Sequence, residues 1–315
     1  MRKALGVILI ILLVIAAAAW FKLRGPDIPY ETLEARYAAA DSHFVDLPGG
    51  YHVHYREDGD PSLPTLLLLH GFADSFTTWE GWVGELKPRF HIICPDFPGH
   101  GLTRAPASSS LSGDALADFV DAFAQALALP KFAVAGNSMG GGAAWQLAVR
   151  HPERIDALIL VDAAGFANAK PAGGEPLGFK IMRYRLGRKL LSKIDNRPLI
   201  DQGLKADVYD KALITPSLVD RFAEFQRAPG HREILMGITL GSHPVSTAQL
   251  LSSINVPTLI LWGESDSLIE PAAAKKFAAA ISGSKLIIYP HAGHLPQLEI
   301  PQRSAADAAA FLMGT

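Results

Sequence analysis

The chain has 315 residues, of which 49% are apolar and 19% charged, and its formal net charge is −2. This is enough apolar sequence to bury a sizeable core, in one large domain with an insertion or in two smaller ones. The near-neutral balance excludes the basic footprint of a nucleic-acid binder. The single cysteine, Cys94, excludes an internal disulfide framework and leaves cytosol and periplasm equally open.

Residues 4–21 carry no charge and are almost all apolar; Arg2 and Lys3 precede them, and Lys22 and Arg24 follow. Eighteen helical residues span ~27 Å at ~1.5 Å each, near the lower limit for crossing a bilayer. Two readings compete. An uncleaved membrane anchor would set Trp20 and Phe21 at the headgroup level, with the catalytic domain on the periplasmic side. A signal peptide would be cleaved near Ala16–Ala19, giving a secreted or periplasmic protein. The anchor is the favoured reading, and in both residues 1–24 stand apart from the catalytic fold. A polar stretch, 25–42, is expected to link them to the body.

Short β-branched or leucine-rich runs then alternate with helical patterns. Strands are expected at 43–47, 52–56, 65–70, 91–95, 132–137, 157–162, 258–262 and 285–289. Continuous apolar runs such as Leu66–Leu69 read as strands covered on both faces. Pro48-Gly49-Gly50 reads as a hairpin turn between the first two. Helical patterns at 112–127 and 142–150 imply βαβ units, hence an α/β fold with a mostly parallel sheet and a ligand site at the carboxyl ends of the strands. The alternation stops between 166 and 250, which reads as a helical cap inserted into a core of 43–165 and 251–315. Within the cap, 179–194 is amphipathic: Phe179, Met182, Leu186 and Leu190 fall at helical spacing among six basic residues. That face is either solvated or in contact with anionic lipid headgroups.

Gly136-Asn137-Ser138-Met139-Gly140 follows an apolar strand and opens a helical pattern. Strand, tight turn and helix are what a nucleophile elbow requires: the serine is presented on a strained backbone, and the flanking glycines permit close approach. Ser138 is therefore the candidate nucleophile, and a serine hydroxyl needs a base. His294 follows the last apolar strand, on the side of the sheet that carries Ser138; His291 is its neighbouring rival. The base needs an orienting carboxylate. Asp266, after the strand at 258–262, is the candidate, with Glu264, Glu270 and Asp162 as competitors. A developing oxyanion would be met by the backbone N–H groups of Met139 and of Phe72, in the loop after Leu66–Leu69. Phe166, Phe179, Met182 and Tyr184 of the cap are candidates to line an apolar acyl site.

With these residues in view, the chain resembles the α/β-hydrolase superfamily over roughly residues 44–312. The resemblance is carried by His70-Gly71-Phe72, Asp96-Phe97-Pro98-Gly99-His100-Gly101, the Ser138 elbow, His151-Pro152-Glu153-Arg154, Trp262-Gly263-Glu264-Ser265-Asp266 and Gly293-His294. Within the superfamily it looks like the membrane-anchored monoacylglycerol-lipase and bacterial lipase/esterase branch. That resemblance implies an eight-stranded, mostly parallel sheet, hydrolysis of carboxylic esters or lipids through an acyl-enzyme, and no cofactor. Carbon–carbon bond hydrolases acting on meta-cleavage dienoates share Gly-Asn-Ser-Met-Gly-Gly and form the alternative. A catalytically silent binding protein on the same fold is another. Dehalogenase-like and epoxide-hydrolase-like relatives use an aspartate where this chain has Ser138.

Overall fold

The computed structural model describes residues 14, 20–21, 23–166, 176–238 and 248–314. Its strands are β1 (Ser42–Leu47), β2 (Tyr51–Asp58), β3 (Thr65–Leu69), β4 (His91–Pro95), β5 (Phe132–Asn137), β6 (Ile155–Val161), β7 (Thr258–Gly263) and β8 (Lys285–Tyr289). They form one eight-stranded sheet in the order β1-β2-β4-β3-β5-β6-β7-β8. Only β2 runs against its neighbours β1 and β4; every other pairing is parallel. The β1–β2 hairpin turns through Gly49 and Gly50, both left-handed with φ of 90° and 88°.

The leucine run of β3 shows why the sheet forms. Successive side chains of a strand point to opposite faces. Leu67 and Leu69 join a core with Phe123, Leu147 and Trp145, beneath the helices Gly113–Ala126 and Met139–Arg150. Leu66 and Leu68 join a second core with Trp79, Trp82 and Phe311, beneath the helices Glu80–Leu86 and Pro301–Leu312. All four leucines are completely buried. Each contributes roughly 1.5–3 kcal/mol relative to exposure, which only a strand covered on both faces can supply.

No strand lies among the described residues between β6 and β7. The helices Leu177–Met182, Arg185–Leu191, Arg197–Asp207, Pro216–Gln226, His231–Met236 and Ala248–Leu251 occupy that interval. The amphipathic stretch expected over 179–194 is two helices, broken where Tyr184 turns extended (φ −103°, ψ 133°). The second helix folds back on the first at Gly187, where a Cβ would lie 2.1 Å from the Ile181 carbonyl oxygen. Arg188, one of the six basic residues, turns inward to the carbonyls of Met182 and Met236.

The N-terminal expectation is corrected. Among the described residues no helix is long and apolar enough to cross a membrane. Membrane anchoring with a periplasmic catalytic domain is accordingly withdrawn, and an N-terminal hydrophobic helix is not shown. The run 4–21 lies outside the described residues except for Val14, Trp20 and Phe21. The stretch after it carries more structure than a linker needs. The helix Tyr30–Tyr37 buries Leu33 completely, and Arg36 and Tyr37 reach Glu224 of the cap at 2.7 and 2.9 Å. Its Glu34 pairs with Arg104 of the core at 2.6 Å.

Candidate active site

Ser138 joins the end of β5 to the helix Met139–Arg150, with φ 51° and ψ −115°. A non-glycine residue in that region is strained and persists only where its surroundings hold it. Here the Ser138 N–H donates to the Val161 carbonyl at 3.0 Å, and its own carbonyl accepts from Gly142 and Ala164. The two glycines of the motif have distinct duties. A Cβ on Gly136 would sit 2.3 Å from the Gly140 carbonyl oxygen, and one on Gly140 would sit 2.3 Å from the Leu69 carbonyl oxygen. The first lets the helix fold back on its strand, and the second lets it pack on β3.

The loop after β3 lies directly on this turn, where a Cβ on Gly71 would be 3.4 Å from that of Ser138. Two buried histidines fasten it. His70 Nε2 accepts the Phe97 N–H at 3.0 Å, so its Nδ1–H donates to the Gly71 carbonyl at 2.8 Å. His100 Nε2 accepts the Ala73 N–H at 2.9 Å, and its Nδ1–H donates to the Pro98 carbonyl. Each is a neutral imidazole in a defined tautomer, consistent with burial pushing both below the ordinary histidine range. Phe72, between them, lines the cavity beside Ser138. Met139 is the first residue of its helix, so its N–H has no intrahelical acceptor.

His294 is buried in the loop after β8. Its Nδ1 is 2.8 Å from Asp266 Oδ2, while its Nε2 is buried without a hydrogen-bond partner among the described residues. Asp266, after β7, also accepts the Leu268 and Ile269 N–H groups on Oδ1 at 2.8 and 2.9 Å. Asn137, the residue before Ser138, donates from Nδ2 to the His294 carbonyl at 3.0 Å, tying the histidine loop to the serine turn. From the cap, the Asp207 carbonyl accepts the His294 N–H at 2.6 Å. Burial alone would lower the imidazole's proton affinity. The Asp266 carboxylate outweighs it, through charge and hydrogen bond, with help from Asp207 and Glu299, and holds His294 above its ordinary range.

The structure thus brings Ser138, His294 and Phe72 to one cavity with Asp266 behind the histidine. Three of the four rivals fall away by position. His291 is exposed and packs on Tyr209, and Glu264 is exposed. Asp162 is completely buried near Asp266 and bonds to the Gly263 N–H, not to His294.

The cavity measures about 200 Å³ and is roofed by the cap through Phe179, Met182, Leu191, Leu204 and Phe222. Two of the four expected cap residues do not line it. Phe166 packs edge-on against Phe277, and Tyr184 is 71% exposed because it stands at the break between the two helices. Among the described lining residues there is no lysine or arginine. Asp207 does line it, and burial pushes its carboxyl up to about 6, against the pull of His294. Sequence reading missed Asp207 because it ends a cap helix and belongs to no motif.

A parallel sheet with this serine turn, and a histidine–aspartate pair beyond it, defines a hydrolase. The chain belongs to the alpha/beta hydrolase fold family, whose pattern matches residues 64–301. It is 28% identical over 284 residues to Lipase 3 of Moraxella sp. (strain TA144), covering 86% of this chain and 84% of that protein. It is also 28% identical over 251 residues to 2-hydroxymuconate semialdehyde hydrolase of Pseudomonas sp. (strain CF600), covering 78% and 86% respectively. The crystal structure of a membrane phospholipase A, a bacterial virulence factor, is similar over 100% of this chain and 99% of that one, with TM-score 0.74 and 26% identity. The resemblance to lipases and esterases is borne out by these relatives.

Proposed function

We propose that the protein is a serine esterase of the lipase type, cleaving carboxylic esters with an apolar acyl group through an acyl-enzyme. In this reading His294 Nε2 takes the proton of Ser138, whose Oγ attacks the ester carbonyl. Asp266 fixes the imidazole in the Nδ1–H tautomer and stabilises its charged form. The oxyanion rests on the N–H groups of Phe72 and Met139. The imidazolium protonates the leaving alcohol, and water then resolves the acyl-enzyme with the same base. The observation that carries the reading is the 2.8 Å His294–Asp266 contact, which leaves a free, buried Nε2 beside a cavity that also exposes Ser138.

Carbon–carbon hydrolysis of a dienoate is the second reading, favoured by the semialdehyde hydrolase among the relatives. The cavity chemistry argues against it. A dienoate carries a carboxylate, and the described lining offers Asp74 and Asp207 but no lysine or arginine. Desolvating an anion beside carboxyl groups without a partner is costly. An apolar acyl chain meets no such penalty.

The first test is labelling with a fluorophosphonate. Wild type reacts and Ser138→Ala does not; labelling that survives in the variant removes Ser138 as nucleophile. A protein that never labels would instead be the silent binding module. Rates on esters of graded acyl length, set against a dienoate, decide the bond class. A preference for the dienoate reverses the ranking.

A further inference from the structure

Beside the histidine–aspartate pair lies a second buried carboxyl, Asp162. One oxygen of Asp162, one of Asp266 and a ring nitrogen of His294 all lie within 4.8 Å of one another. Asp162 follows β6, is 0% exposed, and holds a left-handed backbone at φ 44°. Its N–H donates to the Leu261 carbonyl at 3.1 Å, and its Oδ1 accepts the Gly263 N–H at 2.9 Å. Its Oδ2 is buried and, drawn as a carboxylate, has no donor among the described residues.

Two carboxyl groups this close and away from water do not readily both ionise. Hydrogen bonding decides which keeps the proton. Asp266 accepts three N–H groups, from Leu268, Ile269 and His294, and each stabilises its charged form. Asp162 accepts one. The other titratable groups facing the pair also favour a proton on Asp162. Glu299, beside the histidine loop, adds negative charge, and Tyr289 at the end of β8 adds none that is positive. Asp207 faces Asp266 and His294 from the cap with Lys211 beside it, and His294 is the cationic candidate next to Asp266. Burial and the Asp266 charge accordingly raise Asp162 well above the ordinary carboxyl range.

We propose that Asp162 is a neutral carboxylic acid whose O–H donates to the Asp266 carboxylate, making it a positioning residue for the His294–Asp266 pair. This rests on the esterase reading of that pair. The bond fixes Asp266 from the end of β6, close to its contact with His294. It also withdraws charge from Asp266, which limits how strongly the imidazolium is stabilised and lets His294 return to the neutral base near neutral pH. The strained backbone fits the proposal: the fold keeps an acid at a left-handed position that glycine would occupy without strain.

Asp162→Asn and Asp162→Gly separate this role from simple packing. Asparagine tolerates the backbone, accepts from Gly263 and supplies an N–H to Asp266. Glycine fits the backbone and supplies neither. Kinetics on a soluble short-chain ester are followed across pH, with fluorophosphonate titration to count competent sites. Glycine is expected to lower kcat per site by about tenfold, leave KM in place and move the acidic limb of kcat/KM up by about half a unit. Asparagine is expected to restore kcat to within about threefold of wild type, as its N–H replaces the lost donor. Wild-type kcat and limb in the glycine variant would overturn the proposal, as would asparagine as impaired as glycine. Infrared spectroscopy tests the protonation state without turnover, even if the glycine variant does not fold. At about pH 9, where Asp74 and Asp207 are ionised, the wild-type minus asparagine difference should contain a protonated-carboxyl stretch. Its absence overturns the proposal. Because that band needs no ester to be cleaved, an inactive wild type would count against the esterase reading alone.

Discussion

At the residue scale the site is governed by charge placed around one imidazole. As the proposed base, His294 must be neutral to accept a proton, and its neighbours hold it above the ordinary value of 6.5. Activity is therefore expected to be lost as pH falls through a value above 6.5, not below it. Asp207 is one of those neighbours and, with its carboxyl near 6, is charged at neutral pH. Asp207→Asn removes a negative charge that favours the imidazolium. Its pH profile of kcat/KM should show the acidic limb displaced downward; an unmoved or raised limb would mean Asp207 does not act on His294. Ser138, Asp266 and His294 were legible in the sequence because each follows an apolar strand at the carboxyl edge of a parallel sheet. Asp162 was legible only as a rival. Its contact with Asp266 depends on β6 lying beside β7, and strand order is not written in local pattern.

At the element scale the legible and the illegible divide by length. Most strands announced themselves through short apolar runs such as Leu66–Leu69, and β4, β5 and β8 have the bounds that pattern predicts. The cap helices did not. A single amphipathic period over 179–194 carries no trace of the break at Tyr184, because the break comes from Gly187 packing on the preceding helix. The helix Arg197–Asp207 offers a direct test of the cap as the roof of the acyl site. Gly203 lines the cavity, and a Cβ added there meets nothing within 4 Å. Gly203→Leu should fill the space without strain and gain up to ~1 kcal/mol of helix propensity. Stability in urea should hold or rise, while kcat/KM for long acyl chains falls by about tenfold relative to acetyl esters. A loss of rate equal for all chain lengths would place the acyl group elsewhere.

At the scale of the whole molecule, the segment 23–37 joins parts that are distant in sequence. Leu23 and Gly25 exchange backbone hydrogen bonds with Asp195 and Lys193 of the cap, and Leu33 sits in the core among the tryptophans of the second face. Its polar composition concealed this, since only Ile28, Tyr30, Leu33 and Tyr37 carry the apolar contacts. Leu33→Ala should cost about 2–5 kcal/mol, read as a lower urea midpoint with unchanged slope, while native protein still labels with the fluorophosphonate. A cost below about 0.5 kcal/mol would reduce the segment to a surface ornament.

The bond from the His294 N–H to the Asp207 carbonyl has a consequence for how this architecture can be recombined. His294, the proposed base, receives its backbone support from the inserted helices as well as from the sheet. A chimera that exchanged residues 166–250 for the insertion of a relative would inherit the new roof, and with it a different grip on the imidazole. Acyl preference and turnover would then change together, and the transplants that keep their rate would be those ending a helix with a carbonyl aimed at the same amide.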